Sequence, residues 1–379
     1  MKRFTGRLTI AAILGSSLIS GVPSAQAFQT AARNAYILDL STGTTLLSKK
    51  SDIPMPPASM SKLMTIYMVF DRVKRGSLSL DDTFLVSKKA WKKGGSKMFV
   101  KVGDRVSVAD LLRGIIVQSG NDACIVVAEA LGGGEEAFAE MMTKRGREIG
   151  LTESTFANAT GWPNPNHRMS ARDLAILSQR LIEEFPELYK LFGEKTFTYN
   201  KIKQGNRNPL LYRDVGADGL KTGHTVAAGY GLTASAQRGD RRIVVVNGLT
   251  SVRQRSQEAL RLMEWAFRAF KPVAMFKSGE TVTEADTWLG NAPQVPLVIQ
   301  RDLKLTLPRN DIDKIKVTVR MKSPVAAPVK KGQKLGTLVV RVPGAPDREY
   351  PLAAGADVKQ LGFVGRIGAA IKHVLWGSS

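Results

Sequence analysis

Three short polar clusters in this sequence could do chemistry, and each occurs once, in one order: Ser59-Met60-Ser61-Lys62, then Ser119-Gly120-Asn121, then Lys221-Thr222-Gly223. A hydroxyl three residues before an amine falls on one helical turn, where the two side chains meet. Such a pair is a nucleophile and its base, provided that the amine is neutral. Neutrality calls for burial and a second nearby cation, both of which lower a lysine pKa; Lys221 is the candidate for that cation. Taken alone the pair is weak. Ser59 also reads as a helix N-cap and Lys62 as a solvated side chain, and ordinary composition produces about one Ser-x-x-Lys per chain of this length.

The other two clusters add what the pair lacks. Ser119-Gly120-Asn121 falls at a break between apolar helical runs, where Ser119 can pass a proton between Lys62 and a leaving amine while the Asn121 amide holds Lys62 and the substrate backbone. A bare turn would also account for Gly120 and Asn121. The Lys221 amine and the Thr222 hydroxyl suit a carboxylate. Gly223 lets a substrate backbone come close to a strand edge, and a main-chain N–H there can serve an oxyanion; a simple strand-edge turn is the alternative.

Other chemistries fit worse. A Ser-His-Asp triad is arithmetically open to His167 or His224, but the chain has only three histidines and no Gly-x-Ser-x-Gly elbow. Zinc hydrolysis is disfavoured, with no His-Glu-x-x-His and poor ligand spacing. The single cysteine, Cys124, lies within an apolar run and reads as a small buried residue. No metal or other cofactor is expected.

The elements that must position these groups follow from patterning. Residues 35–40, the turn 41–43 and residues 44–47 read as strand, turn and strand. Ser59 follows a proline-rich link and opens a helical run to Phe70. Residues 109–116 and 123–131 look helical, 231–236 and 241–248 look like strands, and a helix from about 254 to 270 closes the unit. This mixture predicts an α/β or α+β domain over 28–272. From 273 to 360 short strand runs at 304–307, 314–321 and 334–342 alternate with Pro and Gly turns, which predicts a small all-β domain. Over 361–379 the residues Phe363, Val364, Ile367, Ile371, Val374 and Leu375 share one helical arc opposite Lys359, Arg366, Lys372 and His373. With Trp376 this suits a helix lying at a membrane surface, or one packed on the β-domain.

At 43% hydrophobic and 23% charged residues over 379 positions, the chain has the composition of a folded protein with room for two cores. Residues 1–27 read as an export leader: Lys2, Arg3 and Arg7, an apolar stretch over 8–22, and Ala25-Gln26-Ala27 as the cleavage site. That stretch is broken by Gly15, Ser16, Ser17, Ser20 and Gly21 and falls short of the about 20 apolar residues of a spanning helix. Losing the leader's three basic residues lowers the formal net charge from +22 to +19. An exported basic protein meets anionic lipid headgroups and acidic wall polymers rather than nucleic acid.

Together, Pro57-Ala58-Ser59-Met60-Ser61-Lys62-Leu63-Met64-Thr65, Ser119-Gly120-Asn121-Asp122-Ala123 and Lys221-Thr222-Gly223-His224-Thr225 resemble the D-alanyl-D-alanine carboxypeptidases among the low-molecular-mass penicillin-binding proteins. The resemblance extends to residues 170–173 and 328–333. It implies a transpeptidase/β-lactamase-like domain of helices around an antiparallel sheet, hence α+β, followed by a β-sandwich and a membrane-surface helix. It implies that Ser59 attacks the penultimate D-alanine carbonyl of a peptidoglycan stem pentapeptide, that the main-chain N–H groups of Ser59 and His224 hold the oxyanion, and that Lys221 and Thr222 hold the terminal carboxylate. Arg255 matches an arginine that reads the same carboxylate, with Arg253 as the alternative. β-Lactams are expected to acylate Ser59, and the protein is expected at the periplasmic face of the inner membrane. The Glu-x-x-Leu-Asn motif of class A β-lactamases is absent, so fast β-lactam hydrolysis is not expected. An idle wall-binding protein is the rival from another class, and the complete motif set argues against it.

Overall fold

The computed structural model describes residues 28–343, 346–363, 365 and 367. Residues 1–27, expected to form an export leader, and most of the amphipathic segment 361–379 lie outside the described residues. The chain divides into two compact units, Phe28–Arg268 and a second from Ala269 onward.

In the first unit, β1 (Asn34–Asp39) and β2 (Thr44–Lys49) form a hairpin. Gly43 in its turn has φ +67°, the left-handed conformation that glycine adopts freely. A 3-10 turn, Ala58–Ser61, leads into α1 (Lys62–Lys74), which is buried at every position from Lys62 to Phe70. Next come β3 (Thr83–Leu85), α2 (Lys88–Lys92) and β4 (Arg105–Ser107), then α3 (Val108–Ile116), α4 (Asn121–Gly132) and α5 (Glu135–Glu148). After these come α6 (Ala171–Glu184), α7 (Pro186–Tyr189) and the hairpin of β5 (Thr196–Tyr199) with β6 (Ile202–Gly205). The long strands β7 (Ala217–Thr225), β8 (Gly229–Arg238) and β9 (Asp240–Leu249) precede α8 (Val252–Ala269). Ser107 and Ser170 start α3 and α6 by accepting the N–H of the residue three positions on, the bond that satisfies an otherwise orphaned helical donor.

Five strands pair antiparallel in the order β2-β1-β9-β8-β7. The two-residue period of β9 explains how this sheet holds two cores. Ile243 and Val245 pack into the large core with Leu63, Ile66 and Leu174, whereas Val244 and Val246 face Leu262, Met263 and Ala266 of α8. This is the α+β arrangement of helices around an antiparallel sheet, and it decides between the α/β and α+β alternatives in favour of the latter. β7 is an edge strand, so one side of it is left for something other than a neighbouring strand.

The second unit is all-β. β10 (Phe270–Phe276) pairs with β13 (Leu303–Pro308), and a six-stranded sheet runs β14-β16-β17-β12-β11-β15. Its members are β11 (Thr281–Trp288), β12 (Gln294–Val298), β14 (Lys316–Met321), β15 (Val325–Ala326), β16 (Lys334–Arg341) and β17 (Arg348–Ala354). Leu305 and Leu307 share one core with Leu297, Leu338 and Leu352, which makes the unit a sandwich. Its first strand opens at Phe270, directly after the last residue of α8. Among the described residues no helix is long and apolar enough to cross a membrane.

Candidate active site

Ser59 lies in the 3-10 turn and not in α1 itself. A 3-10 helix has three residues per turn, so side chains at i and i+3 eclipse, and the Ser-x-x-Lys spacing is met directly. Lys62 Nζ is 2.8 Å from Ser59 Oγ, 2.8 Å from Asn121 Oδ1 and 2.6 Å from the Thr160 carbonyl. A charged amine donates to all three. A neutral one keeps two N–H bonds, to Asn121 and Thr160, and turns its lone pair to the Ser59 hydroxyl. The same contacts therefore serve both protonation states.

Lys62 is fully buried, and burial holds its pKa down at about 8, helped by the positive charges of Arg207 and Lys93. Lys221, the cation expected from the sequence, is itself buried. Its pKa is pushed well below the usual lysine range by burial first, then by Lys62 and Arg207. Arg207 and Lys93 thus join Lys221, the cation expected from the sequence, in disfavouring charge on Lys62, because the repulsion between two amines acts on both. Arg207 reaches the site by bonding Ser96 Oγ at 2.6 Å.

Several groups hold this arrangement. Asn121 begins α4, accepts from Lys62, and donates from Nδ2 to the Gly94 carbonyl at 2.8 Å. Its neighbour Asp122 accepts the N–H groups of Met98 and Phe99 at 2.9 Å, which fixes the loop that faces the nucleophile. Ser119 has φ +66° and is buried, and its Oγ makes no hydrogen bond among the described residues. It does not bond Lys62 in this state. Thr160 is held by Asn158, whose Oδ1 accepts from the N–H groups of Thr160, Gly161 and Trp162 and from the Thr160 hydroxyl, at 2.8 to 3.1 Å.

The third cluster lies on β7. Gly223 packs on the nucleophile's turn, where a Cβ would stand 2.8 Å from the Pro57 carbonyl and 3.1 Å from Met60 Cγ. Thr222 is buried beside Lys221, whose only side-chain bond among the described residues is a long one of 3.4 Å to the Thr222 carbonyl. His224 is exposed and stacks on Tyr230 with ring centroids 3.9 Å apart. Arg255 is buried with its guanidinium 5.9 Å from the Tyr230 ring, and its Nε has no partner among the described residues. Arg253 is exposed. Lys221 and Arg255 are thus two buried basic side chains with donor capacity to spare, a setting that favours an anion.

The alternatives lose their footing. His167 Nδ1 accepts the Ala157 N–H at 3.2 Å, and burial lowers the ring's pKa to about 4. Neither His167 nor His224 bonds Ser59, and His373 lies outside the described residues. Cys124 is buried, with its thiol pushed up to about 12 by burial, so it is no nucleophile. Sequence reasoning missed Thr160, Asn158, Arg207 and Lys93. A main-chain carbonyl leaves no residue signature, though the Asn and Gly of Asn158-Ala159-Thr160-Gly161 do mark a structured turn.

Residues 21–249 match the family model of D-alanyl-D-alanine carboxypeptidases, and residues 270–360 match that of the penicillin-binding protein 5 C-terminal domain. D-alanyl-D-alanine carboxypeptidase DacC of Escherichia coli (strain K12) is 39% identical over 345 residues, covering 89% of this chain and 86% of the relative. Among solved structures, penicillin-binding protein 5 from Haemophilus influenzae superimposes with a TM-score of 0.78 at 35% identity, covering 90% of this chain and all of that one. Penicillin-binding protein D2 from Listeria monocytogenes in its ampicillin-bound form gives a TM-score of 0.59 at 30% identity, over 64% of this chain and 99% of that one.

Proposed function

The chain belongs to the D-alanyl-D-alanine carboxypeptidase family, a family of serine-type peptidases, and from that premise we propose how its own residues trim peptidoglycan stem pentapeptides. Neutral Lys62 takes the Ser59 proton as Oγ bonds to the carbonyl carbon of the penultimate D-alanine. The oxyanion rests on the main-chain N–H groups of Ser59 and His224. Ser119, whose hydroxyl makes no hydrogen bond among the described residues, relays the proton to the leaving nitrogen as the C–N bond breaks. Terminal D-alanine departs, and water then cleaves the ester and returns the proton to Ser59. Lys221, Thr222 and Arg255 bind the terminal carboxylate; the burial of Arg255 and its place over Tyr230 favour it over the exposed Arg253.

The observation that carries this reading is the 2.8 Å contact of Lys62 with Ser59, made by a lysine whose pKa burial has already lowered. β-Lactams, which share the acyl-D-alanyl-D-alanine outline, acylate the same hydroxyl and inhibit the enzyme. Purified protein should release D-alanine from a synthetic pentapeptide and take up a fluorescent penicillin stoichiometrically, and Ser59→Ala should lose both. Retention of either by Ser59→Ala would overturn the assignment.

Export to the periplasmic face and peripheral attachment by residues 361–379 belong to the same proposal. Phe363 and Ile367, four positions apart and so on one helical face, are 72% and 47% exposed. An apolar face left exposed among the described residues suits a headgroup region, and the basic residues beside it in sequence suit anionic lipid.

A further inference from the structure

A cavity of 240 Å³ that the reaction steps leave unused adjoins the nucleophile's turn, lined by residues 56–58, the loop 161–168, Thr225 and Ala227. It lies toward the end of β7 away from Lys221 and Thr222. A strand advances about 3.3 Å per residue, which puts Thr225 on the order of 10 Å beyond Thr222 along the edge. An extended peptide with its terminal carboxylate at Lys221 and Thr222 and its reacting carbonyl at Ser59 reaches the cavity with the side chain before its last two residues.

The walls are apolar where prolines and Trp162 form them, and Arg168 is the only charged residue among them. Arg168 forms no ion pair among the described residues, and no acidic residue lines the cavity. Lys93 adds positive charge nearby, its amine 5.2 Å from the Trp162 ring, although it also pairs with Glu135 at 3.8 Å. His167 lines the cavity as well. Its Nδ1 accepts the Ala157 N–H and its Nε2 is shut off from solvent, so the ring serves as wall rather than donor. The unpaired guanidinium asks for an anionic ligand.

We propose that this cavity binds the side chain of the substrate residue third from the C-terminus and selects one ending in a carboxylate over one ending in a free ammonium. The assignment rests on the carboxypeptidase reading and narrows its substrate class.

The test uses the purified protein and four acetyl-X-D-alanyl-D-alanine peptides, with X as Nε-succinyl-lysine, Nε-acetyl-lysine, lysine or glycine, scored by D-alanine release. The kcat/KM should fall from succinyl to acetyl to free lysine, with a roughly three- to fivefold span, the size expected of a half-exposed ion pair. Arg168→Glu should reverse the order and Arg168→Gln should flatten it. Each variant is judged by the ratio between peptides within one preparation, so partial misfolding does not disturb the result. Equal rates for the three lysine peptides, or an order that survives Arg168→Glu, would overturn the subsite while leaving the carboxypeptidase standing. No release from any peptide, glycine included, would overturn both.

Discussion

A lysine serves as a base near neutrality only when its surroundings make the charged form costly, and Lys62 meets that condition by burial more than by any neighbour. A base works deprotonated, so acylation should rise with pH through an inflection near 8, measured as the second-order rate of penicillin uptake. A profile flat from pH 6 to 10 would contradict Lys62 as the base. Arg207→Gln removes one of the cations that lower this pKa, so its inflection should lie higher than that of the wild type. Lys221 adds a linked effect. A substrate carboxylate beside it raises its proton affinity, and the restored charge then pushes Lys62 further down. The inflection in kcat, which reports the complex, should therefore lie below that in kcat/KM, which reports the free enzyme. Ser119→Ala should lower turnover by about 10²-fold or more, the usual size of a lost proton relay, with the same melting temperature in thermal denaturation.

At the scale of elements, the nucleophile is held by two backbone segments pressed together. Ala58 has φ +49°, in a region that side-chain-bearing residues seldom occupy. Opposite it, Gly161 has φ +77°, and a Cβ there would lie 2.0 Å from the Ala58 carbonyl. Gly161→Ala would strain its own backbone and displace the turn that carries Ser59. It should cost about 2–4 kcal/mol in denaturant unfolding, the range of overpacking combined with left-handed strain, and should slow acylation as well. Asn158→Ala should act more gently. It frees four donors at the edge of the site, so a loss on the order of 1–3 kcal/mol is expected, read by thermal melting together with penicillin uptake. Both replacements act on Lys62 through the Thr160 carbonyl rather than by direct contact, so each should move the pH inflection as well as the stability.

For the whole molecule, the strongly basic sequence and the amphipathic pattern at its end carry the proposal of peripheral attachment to an anionic surface. Deleting residues 361–379 should shift the protein from the membrane to the soluble fraction while D-alanine release persists, and unchanged fractionation would refute the anchor. Much of this organisation is legible in the residues. Alternating apolar positions in 241–248 mark β9, Gly43 marks the first hairpin, and the change in strand pattern after α8 marks a second unit. These signals are local, because side-chain period and turn chemistry are properties of neighbouring residues. The three motifs are local in the same sense, and their order was enough to name the chemistry. What depended on tertiary structure was the source of each charge and contact. Lys221 was the evident cation for Lys62 from the motif alone, whereas Arg207 and Lys93 join it only because the fold brings them near. Thr160 contributes only its carbonyl, which no residue type announces. The Ser59 and Lys62 types and spacing were determined by the sequence alone; the lowered proton affinity of Lys62 follows from desolvation, which exists only once helices, loops and sheet have closed around it.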